Sequence, residues 1–411
     1  MVGKATLFVV AGFSLIFLIV EYNMGSVSTR AVKNFTEYYL ENYSREIATS
    51  GANMAANKIF LDPTWTAGFS NMDFKEGKNE GKLNVRVDII DTDKNYRRII
   101  SVGEYQGVKD TVEVTLIPST FSKFAYYSES EGSNIWWMSK DTVDGPFHTQ
   151  DKMKIDGKPT FYGKVSNKLG LQKKDNNSNA NFLGGYQTGV DLPMPANGLS
   201  QMESIANSGG KVISGKDTVY LTFVSDNIKV KYAFNGTETT YLAKTFAPNG
   251  VIFVKDANVR LKGIVKGEYT VASSSTLSGK GNIYLDDNIV CNTNPRTNQS
   301  STDVLGIIAK NDVIITDNTA NTQNKDINID ASIYCEKGSF KAEKHDTRPV
   351  CGSINLFGGV IQKTRGAVGT LKGSALKSGF FKDYEYDERF LVITPPAFPR
   401  TGSFEIVSWY E

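Results

Sequence analysis

Three runs, Ile252-Phe-Val-Lys-Asp-Ala-Asn-Val259-Arg-Leu261, Ile283-Tyr-Leu-Asp-Asp-Asn-Ile289-Val-Cys291 and Ile307-Ile-Ala-Lys-Asn-Asp-Val313-Ile-Ile315, share one pattern. Each is a short apolar-alternating strand, a polar Asp/Asn corner and a second short strand. Phe147-His-Thr-Gln-Asp-Lys-Met153-Lys-Ile155 has the same form, and Ile333-Tyr-Cys-Glu-Lys-Gly-Ser339-Phe-Lys341 and Ile354-Asn-Leu-Phe-Gly-Gly-Val360-Ile-Gln362 are weaker copies. From Ile252 onward the units recur roughly every 20 to 30 residues, the length of one turn of a parallel β-solenoid with about three short strands per turn. Asn, Asp and Gly at the corners tolerate the left-handed backbone that a sharp bend requires. The alignment predicts inward apolar ladders containing Ile252, Val254, Ile283, Leu285, Ile307, Ile354 and Leu356. It places Cys335 in the column of Val254, Leu285, Ala309 and Leu356, Cys291 in that of Leu261 and Ile315, and His148 in an outward column with Phe253, Tyr284, Ile308 and Tyr334. Cys335 and Cys291 read as small buried free cysteines, with Cys335–Cys351 the alternative, a candidate bridge in an oxidising compartment.

Outward from the repeat, the chain begins with a helix-forming stretch. Ala5 to Val20 (ATLFVVAGFSLIFLIV) carries no charge and lies between Lys4 and Glu21; as a helix it spans roughly 24 Å. Continuing through Val27 gives a full bilayer crossing, with Glu21 turned toward a partner or the headgroups. Helical spacing then takes over. Val32, Phe35, Tyr39, Tyr43, Ile47, Gly51, Met54, Ala55 and Ile59 recur every three or four residues, so one face packs on something. Lys4 and the amino terminus are the only charges before the apolar run, which predicts that the rest of the chain lies outside the cytoplasm.

After Asp62-Pro63, alternating runs at Leu83–Ile90, Tyr96–Tyr105 and Thr111–Ile117 read as an antiparallel meander that seats the helix stripe. The fold expected is mainly β. Residues 1–60 form the anchoring helix, 61–120 a small antiparallel sheet, 121–375 a parallel β-helix interrupted by an excursion at about 167–249, and 376–411 a C-terminal cap.

Composition limits the function classes. The 411 residues hold 46 Lys plus Arg against 44 Asp plus Glu, a net charge of +2 that gives no electrostatic case for a nucleic-acid partner. Two histidines cannot build a His-rich metal site. Gly210-Lys-Val-Ile-Ser-Gly215-Lys216-Asp217 fails as a P-loop because Asp217 stands where Ser or Thr is needed. Asp91-x-Asp93-x-Asn95 fails as a calcium loop, with Tyr96 at the glycine position. Asp383, Glu385, Asp387 and Glu388 offer carboxylates for glycoside chemistry, but Lys382 and Arg389 beside them predict a solvated, salt-bridged surface. No catalytic, cofactor-binding or metal residue is assigned.

The N-terminal helix, with Gly12-Phe-Ser-Leu-Ile16 inside its apolar run and a small antiparallel sheet after it, resembles the type IV pilin layout, especially minor pilins without the early glutamate. Asp144-Gly-Pro-Phe-His-Thr149, Val304-Leu-Gly-Ile-Ile-Ala-Lys-Asn-Asp312, Arg365-Gly-Ala-Val-Gly369, Lys382-Asp-Tyr-Glu-Tyr-Asp-Glu-Arg389 and Pro395-Pro-Ala-Phe-Pro399 are similar to an uncharacterised bacterial envelope family that joins such an N-terminus to a β-helix. The resemblance implies a non-enzymatic, membrane-anchored envelope protein, structural or adhesive, with Gly12, Phe13 and Glu21 serving assembly. Glu21 would be ninth, not fifth, after a cut at Gly12. Its implied partners are the membrane, other pilin-like subunits or further copies of itself, and surface polysaccharide. Two other functions fit the residues: a carbohydrate-binding or carbohydrate-active β-helix, and an anchored polymerising scaffold.

Overall fold

The computed structural model describes the chain except Met1, Lys78, Asp93, Ala196, Asn197, Gly373 and Ser374, so Asp93 of the calcium-loop comparison lies outside the described residues. The protein is mainly β with a long N-terminal helix, a small antiparallel sheet and a large mixed sheet. It divides into two compact units, Met1–Pro118 with Gly402–Glu411, and Ser119–Thr401.

In the first unit one helix runs from Val2 to Leu61. No proline falls within it, and at 1.5 Å per residue it is about 90 Å long. Pro63 ends it, with Asp62 N–H closing on the Lys58 carbonyl at 2.8 Å and the Asp62 carboxylate accepting Thr64 N–H at 2.9 Å. Tyr43, Ile47, Ala48, Ala52, Ala55 and Ile59 are buried against Leu83, Val85, Val87, Ile99, Val112, Val114 and Leu116. Small residues set the approach. A Cβ on Gly103 would lie 2.1 Å from the Ser44 carbonyl and 2.6 Å from the Ala48 nitrogen, so the helix backbone rests directly on the strand.

The expected meander is present as Asn79–Asp91, Tyr96–Tyr105 and Val108–Thr120, paired antiparallel. Two edges extend it: Phe69–Glu76 joins Asn79–Asp91, and Arg400–Tyr410 lies beside Val108–Thr120. The last strand therefore belongs to this sheet and not to a cap. Phe404 and Trp409 pack on the helix–sheet core, and the Arg97 guanidinium sits 4.7 Å over the Phe404 ring.

The second unit is built from short strands stacked in register. Val251–Lys255 pairs in parallel with Glu268–Ser274, which pairs with Val304–Ala309, then Ile327–Cys335, then Val350–Thr364. One column reads Ile252, Val271, Ile307, Ile333, Val360, each at most 1% exposed. A second stack joins Thr218–Ser225, Asn258–Val265, Ile283–Cys291, Val313–Ile315 and Phe340–Ala342. Antiparallel pairs make the sheet mixed: Thr218–Ser225 with Asn227–Lys231, that strand with Thr239–Leu242, and Gly369–Lys372 with Ala375–Glu385. Asparagines bridge successive strands, Asn355 Nδ2 to Asn328 Oδ1 at 2.9 Å and Asn328 Nδ2 to Asn288 Oδ1 at 3.1 Å.

The register differs from the sequence alignment in two columns. Ile283 pairs with Val259 and Val313, and Ile354 with Ile327, so neither shares the column of Ile252 and Ile307. Leu285 likewise stacks on Leu261 and Ile315, Leu356 on Ile329, and Cys291 on Val265, while Cys335 does join Val254 and Ala309 through Ser273. Each repeat supplies strands to more than one stack, and the same Ile-x-Leu spacing occurs in both. All seven predicted ladder residues are nonetheless at most 1% exposed. The stretch 167–249 does not leave the sheet as one excursion, since Lys211–Ile213 and Thr218–Ser225 pair in parallel with Val251–Lys255 and Asn258–Val265.

Spatial order and chain order part at one place. Val360, Ile361 and Gln362 pair in parallel with Tyr126, Tyr127 and Ser128, and below these follow Phe147–Thr149, Val165–Asn167 and Tyr186–Thr188. The earliest strands of the unit thus continue the stack from its latest ones, at a seam. Leu192, Met194, Leu199, Met202 and Ala206 lie over the column Phe253, Ala272, Ile308, Tyr334, Ile361 and Tyr127. That column was expected to face outward. It is covered instead, and His148 with it is fully buried.

Candidate functional site

Gly12, Phe13 and Glu21 all fall on the uncovered part of the helix. Leu7 is 71%, Phe8 77% and Phe17 69% exposed, and nothing lies within 4 Å of a Cβ placed on Gly12. Gly12 and Glu21 are nine positions apart, which at about 100° per residue sets them on opposite faces, while Phe13 is about 80° from Glu21. The helix does not bring the three to one spot. Tyr39, whose ring meets Tyr105 edge-on at 6.3 Å, and Leu40 are the first residues to pack on the sheet core. The helix over Gly3–Leu61 includes an apolar stretch near its N-terminus long enough to cross a membrane.

A second constellation, which the sequence reading missed, lies inside the seam. Glu131 is fully buried and each of its oxygens is used twice. Oε1 accepts from Tyr126 Oη at 2.9 Å and Ser128 Oγ at 2.6 Å; Oε2 accepts from Trp137 Nε1 at 2.9 Å and pairs with Arg365 Nη1 at 3.0 Å. The Arg365 side chain is 2% exposed and its guanidinium stacks 3.9 Å from the Trp137 ring centre. Lys382 Nζ is 5.7 Å from the same ring. Lys382 and Tyr384 point inward because their partners in register, Ile354 and Leu356, do. Burial, and then the Arg365 charge, push the Lys382 ammonium down to about 8. Lys382 had been read as part of a solvated surface; alternation in Phe380-Phe-Lys-Asp-Tyr384 was the available signal. The chemistry here is that of a closed ion pair: a carboxylate with no free lone pair is no general base.

Two carboxylates of the acidic cluster are held by arginines. Asp387 is buried and held by Arg389 Nη2 at 2.6 Å, whose Nη1 donates to the Ser301 carbonyl at 2.6 Å. Glu385 accepts from Arg296 Nε at 3.2 Å. Arg389 is therefore buried, not solvated.

His148 Nδ1 meets Ser166 Oγ at 2.8 Å and its ring stacks on Tyr127 with centres 5.4 Å apart. Burial drives its imidazolium down to about 4. The three cysteines are free and buried, so the Cys335–Cys351 bridge is not formed. Burial raises the Cys291 thiol to about 12, far from a reactive thiolate. Among the described residues no group of three or more His, Cys, Asp or Glu is placed to hold a metal ion.

No protein-family model matches the chain, and no curated relative matches it. Among solved structures it is similar to the competence-associated pilin ComZ from Thermus thermophilus at 12% identity and a TM-score of 0.40, over 90% of this chain and 96% of that one.

Proposed function

We propose that this protein is a membrane-anchored, pilin-like structural component of a cell envelope, with a parallel β-solenoid body displayed outside the cytoplasm and no enzymatic activity. One observation carries the reading: a single unbroken helix leaves its apolar first third wholly uncovered while its last third is fixed to a sheet through Gly103 and Gly51. An apolar run of that length is stable when lipid, or the matching helices of other subunits, surround it. The solenoid rests on the successive parallel registers from Ile252 through Val360 and on the asparagine bridges at the corners. Absence of catalysis rests on the saturation of Glu131 and the locking of Asp387, two buried carboxylates each paired with an arginine.

The test is a pelleting assay. Full-length protein partitions with membranes and is released by detergent but not by salt, whereas a chain starting at Arg30 stays in the supernatant; identical partitioning of the two ends the anchor reading. Assembly is tested separately by Glu21→Gln, which keeps the protein in membranes but lowers its recovery in sheared surface fibres. Wild-type protein missing from every sheared fraction overturns the filament part alone. Binding to surface polysaccharide is read by retention on immobilised envelope glycan; no retention leaves a purely structural body.

A further inference from the structure

We propose that the seam of the second unit binds a small inorganic anion of about chloride size between Arg365 and Lys382. Around Trp137 the structure gathers two cations and one carboxylate that is already fully used. Tyr126, Ser128, Trp137 and Arg365 Nη1 take the four lone-pair positions of Glu131, so none remains for the other donors. Arg365 Nη2 is buried and has no hydrogen-bond partner. Among the described contacts Lys382 Nζ makes only its approach to the Trp137 ring, and the Tyr384 hydroxyl, on the same inward side of the strand, makes none to an acceptor. Asp141 is the other carboxylate whose field reaches this group; its Oδ2 accepts Met138 N–H at 2.9 Å, and it makes no recorded ion pair with Arg365 or Lys382.

Donors without acceptors inside a protein are costly, and two cations over one ring repel each other. An anion answers both: it accepts from Arg365 Nη2, Lys382 Nζ and the Tyr384 hydroxyl, and it screens one cation from the other. Large side chains surround these groups, Phe340 6.5 Å from the Tyr384 ring and Trp137 3.9 Å from the Arg365 guanidinium, which favours a small ion. Lys382 is half-buried, which gives the ion a route from solvent. The anion would join Arg365 and Lys382 of the late strands over Trp137 of the early ones, fastening the seam from inside.

The experiment uses the full chain in detergent, with sodium gluconate replaced stepwise by sodium chloride at constant ionic strength. The unfolding midpoint is expected to rise by about 3 °C for each tenfold increase in chloride once the site begins to fill. Lys382→Met, which keeps the packing on Trp137, abolishes that dependence. Crystals grown in bromide show an anomalous peak between Arg365 Nη2 and Lys382 Nζ. A midpoint indifferent to chloride, or bromide absent from this position, overturns the proposal, and both wild-type measurements stand even if the variant does not fold.

Discussion

The column Ile252, Val271, Ile307, Ile333, Val360 and the seam directly beneath it solve the same problem, joining one strand layer to the next, with opposite chemistry. In the column every inward residue is apolar and at most 1% exposed. At the seam the inward set is Tyr126, Ser128, Glu131, Gln362, Arg365 and Lys382. Layers in the column are neighbours in sequence, and turn lengths fix which strand meets which. The strands at the seam are 234 residues apart at Glu131 and Arg365, and no turn constrains their register. A buried ion pair adds little net stability over an apolar contact of equal size, but it penalises any pairing that leaves one charge alone. Register at the seam is set by that penalty, and register in the column by connectivity.

Substitutions can break this contrast. Ile307→Asp buries a lone charge in the apolar column and is expected to cost about 5 kcal/mol or more, seen as loss of a cooperative thermal transition. An unmoved midpoint would mean Ile307 is not inward. Glu131→Gln leaves Arg365 uncompensated and should cost about 3–5 kcal/mol, while Glu131→Met with Arg365→Met should return most of the loss. If the double variant is as unstable as the single one, the pair is a source of stability and not of register.

His148 sharpens the contrast on the outer side of the same layers, where it occupies the column that Phe253, Ile308 and Tyr334 fill with large side chains. Its folded value lies at about 4, below the unfolded value of about 6.5, so the fold favours the neutral ring. The stability this contributes is complete above about pH 6.5 and disappears as pH falls toward 4, a loss of about 3 kcal/mol. Chemical denaturation across that window should show the slope in wild type and a shallower one in His148→Gln. The smallest effect belongs to the corner bridges: Asn328→Ala removes its side-chain hydrogen bonds to Asn288 and Asn355 and should cost about 1–2 kcal/mol in the same assay.

Much of the fold was legible because its signals are local. The apolar run before Glu21, the helical spacing from Tyr43 to Ile59, and the alternation in Leu83, Val85, Val87 needed only windows of about ten residues. The strand–corner–strand repeat found the buried ladder residues but mixed two stacks, since Ile-x-Leu looks the same on either. What the sequence hid is non-local. Nothing in Val360-Ile-Gln362 says that Tyr126-Tyr-Ser128 lies beside it, and Arg400–Tyr410 gives no sign that its neighbour is Val108–Thr120. Of the candidate site, Gly12, Phe13 and Glu21 could be placed on a helix but not grouped. Glu131 and Arg365 were invisible as a pair because two single charges far apart in the chain carry no pattern.

The seam also puts synthesis out of step with stacking. Tyr126–Thr188 is made well before Val350–Glu385, and until that later segment arrives its first strand has no neighbour on the Val360 side and Glu131 has no guanidinium. During that interval the early strands present an edge open to proteases and to the edges of other chains. Late truncations are therefore more disruptive than their distance from Tyr126 suggests. A stop at residue 345 removes the upper neighbour of the earliest strands as surely as deleting those strands would, and the nascent segment becomes a natural client for a chaperone.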